Sequence, residues 1–255
     1  MLLSVKEVRK NFRRGWTSVD AVCGVSLDLD AGESLGLVGE SGSGKSTLAK
    51  LMLLLLKPDS GHVLFHGKRI DGSGKAPIKK FRRKTQIVFQ NPVSSLDPRM
   101  TVAASLAEGY HRDGVQGSKK IRGFVESLLV SVDLSPDLAA RFPHEISGGE
   151  CQRVAIARAL SRDPEVLICD EPVSSLDLVA QARILNLFLK LQKERGLSLF
   201  FISHDLRVVR HLCDRVLVMK DGLICEQGNL SQVFEKPQHP YTRQLLLSSG
   251  ISQTA

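Results

Sequence analysis

Apolar residues fall into short unbroken runs at Ser34-Leu35-Gly36-Leu37-Val38, Val166-Leu167-Ile168-Cys169 and Leu199-Phe200-Phe201-Ile202. Runs of this length read as strands buried on both faces. Val25-Ser26-Leu27-Asp28-Leu29 alternates apolar and polar instead, which suits a half-buried antiparallel strand. Leu3-Ser4-Val5, His62–Phe65 and Thr85–Phe89 read as further strands. Helical stretches run over Leu48–Leu54, Val102–Tyr110, Lys119–Val132, Ala180–Arg195 and Leu206–Cys213. Val216–Met219 and Leu223–Cys225 flank Lys220-Asp221-Gly222, which predicts a hairpin with an Asp-Gly turn. The class is α/β.

The pattern also divides the chain. Lys57-Pro58-Asp59-Ser60-Gly61 stops the first helix. Past Gln90 the character changes: a loop with two prolines, Asn91–Pro98, leads into helical segments, and Phe142-Pro143-His144-Glu145 closes them. We therefore expect an α/β core at 1–90 and 160–235, its first part holding a small antiparallel β subdomain. A helical insert spans 91–159 and a tail 236–255. Gln238–Leu246 in that tail reads as a short surface helix, and the run Leu51–Leu56 as core. Pro-Val-Ser-Ser-Leu-Asp occurs at both 92–97 and 172–177, a single short match that reads as coincidence rather than a repeat.

Composition bounds the partners. The chain has 255 residues, 42% hydrophobic, enough for one sizeable core with an insert. No apolar run approaches the ~18 residues of a membrane helix, and no signal-peptide pattern opens the chain. The expectation is a cytosolic protein unless another subunit holds it at a membrane. A net charge of +8 admits nucleic acid, an anionic surface or phosphate ligands. Lys79-Lys80-Phe81-Arg82-Arg83-Lys84 is a basic cluster that reads either as a solvated helix face or as a contact patch. Five cysteines form no C-x-x-C pair and read as reduced packing residues. The histidines do not cluster as metal ligands.

The chemistry concentrates in Gly39-Glu40-Ser41-Gly42-Ser43-Gly44-Lys45-Ser46-Thr47, between the first buried strand and the first helix. This is the pattern of a phosphate loop, in the required context. Its glycines let successive N–H groups face phosphate oxygens, and the helix N-terminus adds its positive end. Lys45 is expected to reach the β- and γ-phosphates and Ser46 to hold Mg²⁺. Asp170 ends a later strand and suits Mg²⁺ coordination; Glu171 beside it is placed to polarise an attacking water. Gln90 and His204 each end a strand as well. Such positions reach ligands in α/β folds, and an imidazole there can donate to a γ-phosphate. Ser147-Gly148-Gly149-Glu150 opens a second helix and repeats the anion-site physics. One triphosphate does not need two such sites, so a second chain could supply the complementary half. Phe12, in the basic stretch Arg9–Arg14, reads either as a packing residue or as a stacking partner for a base.

Taken together and in order, these residues resemble the ATP-binding subunit of an ABC transporter, over roughly Leu3 to Leu247. The resemblance assigns Walker A to Gly39–Thr47, the Q-loop glutamine to Gln90 and the signature to Ile146–Glu150. It assigns the Walker B acids to Asp170 and Glu171, the D-loop to Ser174–Asp177 and the switch histidine to His204. Ile146 and Glu150 depart from the commoner Leu and Gln but leave the serine and glycines in place. Phe12 stands where the family usually has a stacking Tyr. Gln90-Asn91-Pro92, Ser95–Arg99 and His239-Pro240-Tyr241-Thr242 look like the peptide and nickel importer group. The chain ends before the cysteine-bearing tail of many peptide-type members, which leans the expectation toward nickel or a metal chelate.

That resemblance implies a P-loop NTPase, RecA-like core and a head-to-tail dimer with ATP between Walker A of one chain and the signature of the other. Asp177 would join the nucleotide site. Gln90 would share Mg²⁺ with Ser46 and Asp170 and couple the site to the insert, which grips a membrane subunit. The implied partners are a second ATP-binding subunit, a paralogue or the same chain, two permease subunits and an extracytoplasmic solute-binding protein, with this subunit peripheral on the cytoplasmic face. No nucleic acid is expected. A DNA-associated ABC ATPase would carry a coiled-coil or zinc-bearing insert, and the insert here has neither heptads nor cysteine pairs. A translation-type relative would carry two cassettes. An exporter ATPase shares the nucleotide motifs; the loop and tail argue for import.

Overall fold

The structure, a computed structural model, describes residues 1–14, 17–111 and 118–250. Its strands are β1 (Leu3–Arg14), β2 (Thr17–Leu29), β3 (Ser34–Val38), β4 (Ser60–Phe65), β5 (Lys68–Arg69), β6 (Thr85–Val88), β7 (Val166–Asp170), β8 (Ser198–Ile202), β9 (Arg215–Lys220) and β10 (Leu223–Asn229). Its helices are α1 (Lys45–Met52), α2 (Lys75–Lys84), α3 (Pro92–Ser95), α4 (Val102–His111), α5 (Ser118–Ser131), α6 (Gly148–Leu160), α7 (Leu178–Arg195), α8 (Leu206–Leu212), α9 (Leu230–Glu235) and α10 (Pro240–Ser248).

Two sheets organise these elements. The antiparallel one runs β2-β1-β4-β5, and the larger one β10-β9-β3-β8-β7-β6. In the larger sheet β9, β3, β8, β7 and β6 are all parallel, with β10 added antiparallel at one edge. The unbroken apolar runs form its centre: β3, β7 and β8 are buried at every position. Successive side chains face opposite layers. Leu35, Leu37, Ile168, Phe200 and Ile202 pack with Leu48 and Leu51 of α1 and with the antiparallel sheet. Leu167, Cys169, Leu199 and Phe201 pack with the helices on the other face. Gly36 permits this: a Cβ there would lie 2.5 Å from Val209 Cγ1 of α8.

Parallel pairing fixes where the site lies. Leu37 pairs with Ile202, Ile202 with Asp170, and Cys169 with Val88. The C-terminal ends of β3, β8, β7 and β6 therefore share one edge. The phosphate loop, His204, Glu171 and Gln90 all come directly after these strands, at that edge.

Several elements differ from the sequence reading. β1 and β2 run far beyond Leu3–Val5 and Val25–Leu29, because their mutual pairing carries polar stretches such as Lys10-Asn11 with them. The first helix stops at Met52; Leu55 is 48% exposed and leaves the core, while Leu54 and Leu56 on either side stay half-buried against it. The basic cluster lies on α2, which buries only Phe81. Within it Arg82 donates to the Leu54 carbonyl and Lys84 to the Asp163 carbonyl. The tail helix is not simply a surface helix: Tyr241, Thr242 and Leu246 are buried. No helix among the described residues is long and apolar enough to cross a membrane.

Candidate functional site

The phosphate loop is shaped by its glycines and braced from outside. Gly42 and Gly44 sit at φ 84° and 107°, left-handed backbone that only glycine adopts without strain. A Cβ on Gly44 would run into the Ala21 carbonyl of β2, and one on Gly39 into the Met219 carbonyl of β9. The Gly222 N–H, from the Asp221-Gly222 turn, donates to the Ser43 carbonyl at 3.0 Å. The loop is thus clamped between the two sheets.

Lys45 opens α1 and is buried. Its ammonium donates to the carbonyls of Gly39 and Glu40 at 2.8 and 2.7 Å. Burial pulls its pKa down, while Glu171, Asp170 and Glu40 favour the charged form. Burial pushes the Asp170 carboxyl up, opposed by the hydroxyl of Ser46, which donates to Asp170 Oδ1 at 3.0 Å. Glu171 comes next with φ 50°, a left-handed conformation unusual for a side-chain-bearing residue. Its Oε2 accepts from Gln90 Nε2 at 3.2 Å and lies 3.1 Å from His204 Nδ1. Residues placed after three separate strands thus meet on one carboxylate.

A cavity of about 650 Å³ joins these groups, lined by Ser41, Lys45, Ser46, Gln90, Glu171 and His204 among others. Val19, Asp20, Ala21, Asp221 and Gly222 complete its wall. The sequence reading missed them as site residues, although the Asp-Gly turn was visible as a turn. Phe12 does not line the cavity. It stands opposite Val19 in the β1–β2 ladder, 41% exposed, with the Lys10 ammonium 5.8 Å from its ring centre.

The remaining candidates form a second place. Ser147 caps α6, and Glu150 accepts from its N–H and hydroxyl at 2.8 and 2.7 Å, a capping box. Those bonds hold the Glu150 carboxyl below its ordinary range. Ser147, Gly148, Gly149, Glu150 and Asp177 share a cavity of about 620 Å³ that has no lining residue in common with the first. Asp177 also caps α7, accepting from the N–H groups of Val179 and Ala180 at 3.0 and 2.8 Å. Arg153 and Arg183 line this second cavity and add positive charge that the sequence reading did not single out.

One chain therefore carries a braced phosphate loop with acids, an amide and an imidazole facing it. It also carries a separate, exposed helix N-terminus, capped by its own Glu150.

Residues 22–174 match the family model described as ABC transporter. The chain is 46% identical over 250 residues to the oligopeptide transport ATP-binding protein OppF of Escherichia coli, covering 97% of this chain and 74% of that protein. It is 44% identical over 260 residues to the oligopeptide transport ATP-binding protein AppF of Bacillus subtilis, covering 99% and 79%. A putative peptide import ATP-binding protein of Brucella ovis is 42% identical, covering 96% and 77%. Among solved structures, a dimeric ATP-binding cassette in a post-hydrolysis state, bound to ADP and Pi, superposes with a TM-score of 0.81 at 30% identity. It covers 90% of this chain and 99% of that one. The cbiO1 protein of Clostridium perfringens, part of an ABC transporter complex, superposes with a TM-score of 0.79 at 33% identity over 96% and 94%.

Proposed function

This chain belongs to the ABC transporter family, and from that premise we propose that it is the ATP-hydrolysing subunit of a peptide importer. The observation that carries the chemistry is the meeting of Gln90, Glu171 and His204 beside Lys45 and Ser46 in one cavity. The peptide-transport names of the relatives favour a peptide cargo over the nickel or metal chelate toward which the tail leaned.

In this reading the phosphate loop binds the triphosphate through its N–H groups and the end of α1. Lys45 exchanges its two carbonyl partners for phosphate oxygens and stabilises the charge that spreads over the transferring group. Glu171 orients the attacking water and takes its proton, a contribution of roughly 10²–10⁴-fold. His204 and Gln90 hold that carboxylate from two sides. The donor set also fits Mg²⁺: Ser46 and Asp170 present hard oxygens 3.0 Å apart, with Gln90 nearby. When bound, Mg²⁺ supplies neutralisation of phosphate charge; Ser46, Asp170 and Gln90 would hold it.

The cavity at Ser147 supports a two-chain site. The N–H groups of Gly148 and Gly149, and the Ser147 hydroxyl once it leaves Glu150, suit the γ-phosphate of a nucleotide held by a partner's loop. The exposed ring of Phe12, outside the phosphate-loop cavity, is offered to the base. Shifting a dimer from 1:99 to 99:1 closed takes about 5.5 kcal/mol, which two shared nucleotides can supply. The helical segment 91–159, entered directly from Gln90, is then placed to pass the state of the nucleotide to a permease. The complex comprises a second ATPase, two permeases and a solute-binding protein, with this subunit on the cytoplasmic face.

A tagged Glu171→Gln variant, captured from gently solubilised membranes with ATP present, tests this. Two permeases and a second ATPase are expected, and their solute-binding protein would identify the peptide class. Recovery of DNA-repair factors or ribosomes without membrane proteins would overturn the transporter assignment.

A further inference from the structure

The tail segment His239-Pro240-Tyr241-Thr242 has no role in the proposed hydrolysis, yet one of its side chains touches the phosphate loop. The segment is aimed by local bonds. Glu226 of β10 accepts from the N–H groups of Gln238 and His239 at 2.7 and 3.0 Å. His239 caps α10, its Nδ1 accepting from the Tyr241 N–H at 3.2 Å, and Pro240 opens the helix. Tyr241 is thereby turned inward, 4% exposed, with the Lys220 ammonium 4.8 Å from its ring centre.

There its phenol oxygen accepts from the Glu40 N–H at 3.0 Å. That N–H belongs to the peptide unit between Gly39 and Glu40. The carbonyl of the same unit, on Gly39, accepts from Lys45 Nζ at 2.8 Å. One peptide plane at the start of the phosphate loop is therefore pinned at both ends, by residues far apart in the chain.

We propose that Tyr241 is a positioning residue for nucleotide binding, holding the Gly39–Glu40 peptide while Lys45 turns to the phosphates. This rests on the proposed binding of nucleotide at the phosphate loop. The lysine cannot keep its bond to Gly39 and also reach a phosphate with the same hydrogen. When it leaves, one anchor of the peptide plane goes with it. The phenol keeps the other anchor, so the next N–H groups of the loop stay aimed at the ligand. Holding a loop in its bound shape lowers the cost of ordering it on binding. The importer-type tail thereby completes the nucleotide site from behind.

Tyr241→Phe removes the acceptor and keeps the ring, its burial and its contact with Lys220. Calorimetric titration of the full chain with Mg·ADP is expected to show the dissociation constant rising about fivefold, the size of one net hydrogen bond. In ATP turnover, KM should rise by a similar factor while kcat falls less than about twofold. Amide exchange across Gly39–Gly44 should quicken in the nucleotide-free variant, with β3 unchanged. An unchanged dissociation constant would overturn the proposal. So would a raised constant with unchanged exchange in the loop, because the effect would then not pass through the loop. Failure of the unmutated chain to bind Mg·ADP would instead overturn the nucleotide reading; the exchange experiment would still report whether the phenol orders the loop.

Discussion

At the phosphate loop, segments from β2, the β9–β10 turn and α10 all press on the backbone, and the key cation is buried. At Ser147, the capping serine is bonded within its own first turn, and Ser147 and Gly148 face solvent. Both places offer a helix N-terminus to an anion. The first already gathers Lys45, Gln90, Glu171 and His204 around one cavity, with the Lys45 ammonium turned to the Gly39 and Glu40 carbonyls. The second has satisfied itself with Glu150, an anion of its own. The capping box holds this helix end folded by itself, and Ser147 remains exposed.

If the first pocket holds the chemistry, Glu171→Gln should have the largest effect. Turnover should fall by roughly 10²–10⁴-fold, with nucleotide affinity retained and a closed dimer accumulating in sizing experiments. Turnover near the unmutated rate would remove Glu171 from that role. Next comes Lys45→Ala, which removes a buried charged donor. Equilibrium binding of Mg·ATP should weaken by about a hundredfold, at the upper end for hydrogen bonds to charged groups.

Ser147→Ala probes the other region. Monomer affinity for Mg·ADP should not move, because Ser147 shares no cavity with Lys45. Turnover should fall by about tenfold through loss of one bond to a phosphate. Equal losses in binding and turnover would erase the distinction between the two places. The smallest effect is expected from Phe12→Ala: a few-fold rise in the Mg·ATP dissociation constant, of the order of one exposed stacking contact. No change would leave Phe12 as the companion of Lys10 and Val19 only.

Much of the first pocket was legible because its signals are local. Gly39–Thr47 declares its loop by residue type and spacing, and the acids, amide and imidazole each come after a recognisable apolar strand. Tyr241, Val19 and Asp221 carry no such signal. They reach the loop only because β1–β2 pairing, the β9–β10 hairpin and the Glu226 anchor bring distant segments together. Leu55 misled in the opposite direction. Apolar character suggested core, but α1 had already ended, and the turn that follows packs Leu54 and Leu56 inward while turning Leu55 out.

The repeated Pro-Val-Ser-Ser-Leu-Asp separates the two kinds of determination. In both copies the aspartate accepts from the N–H two residues on, Asp97 from Arg99 at 2.9 Å and Asp177 from Val179 at 3.0 Å. That turn is a property of the side chain and its own backbone, so the sequence determines it wherever it occurs. The continuation after each copy is equally local: Pro98 breaks the chain after one, while Leu178 begins an 18-residue helix after the other. Tertiary structure decides the rest. Leu96 is buried, whereas its counterpart Leu176 is only partly buried and, with Asp177, borders the Ser147 cavity. Local bonds depend on neighbours in the chain, while burial and cavities depend on which distant strands and helices meet. The sequence thus determined the loops, caps and buried strands. Only the parallel register of β3, β8, β7 and β6 decided that Lys45, His204, Glu171 and Gln90 would share one edge.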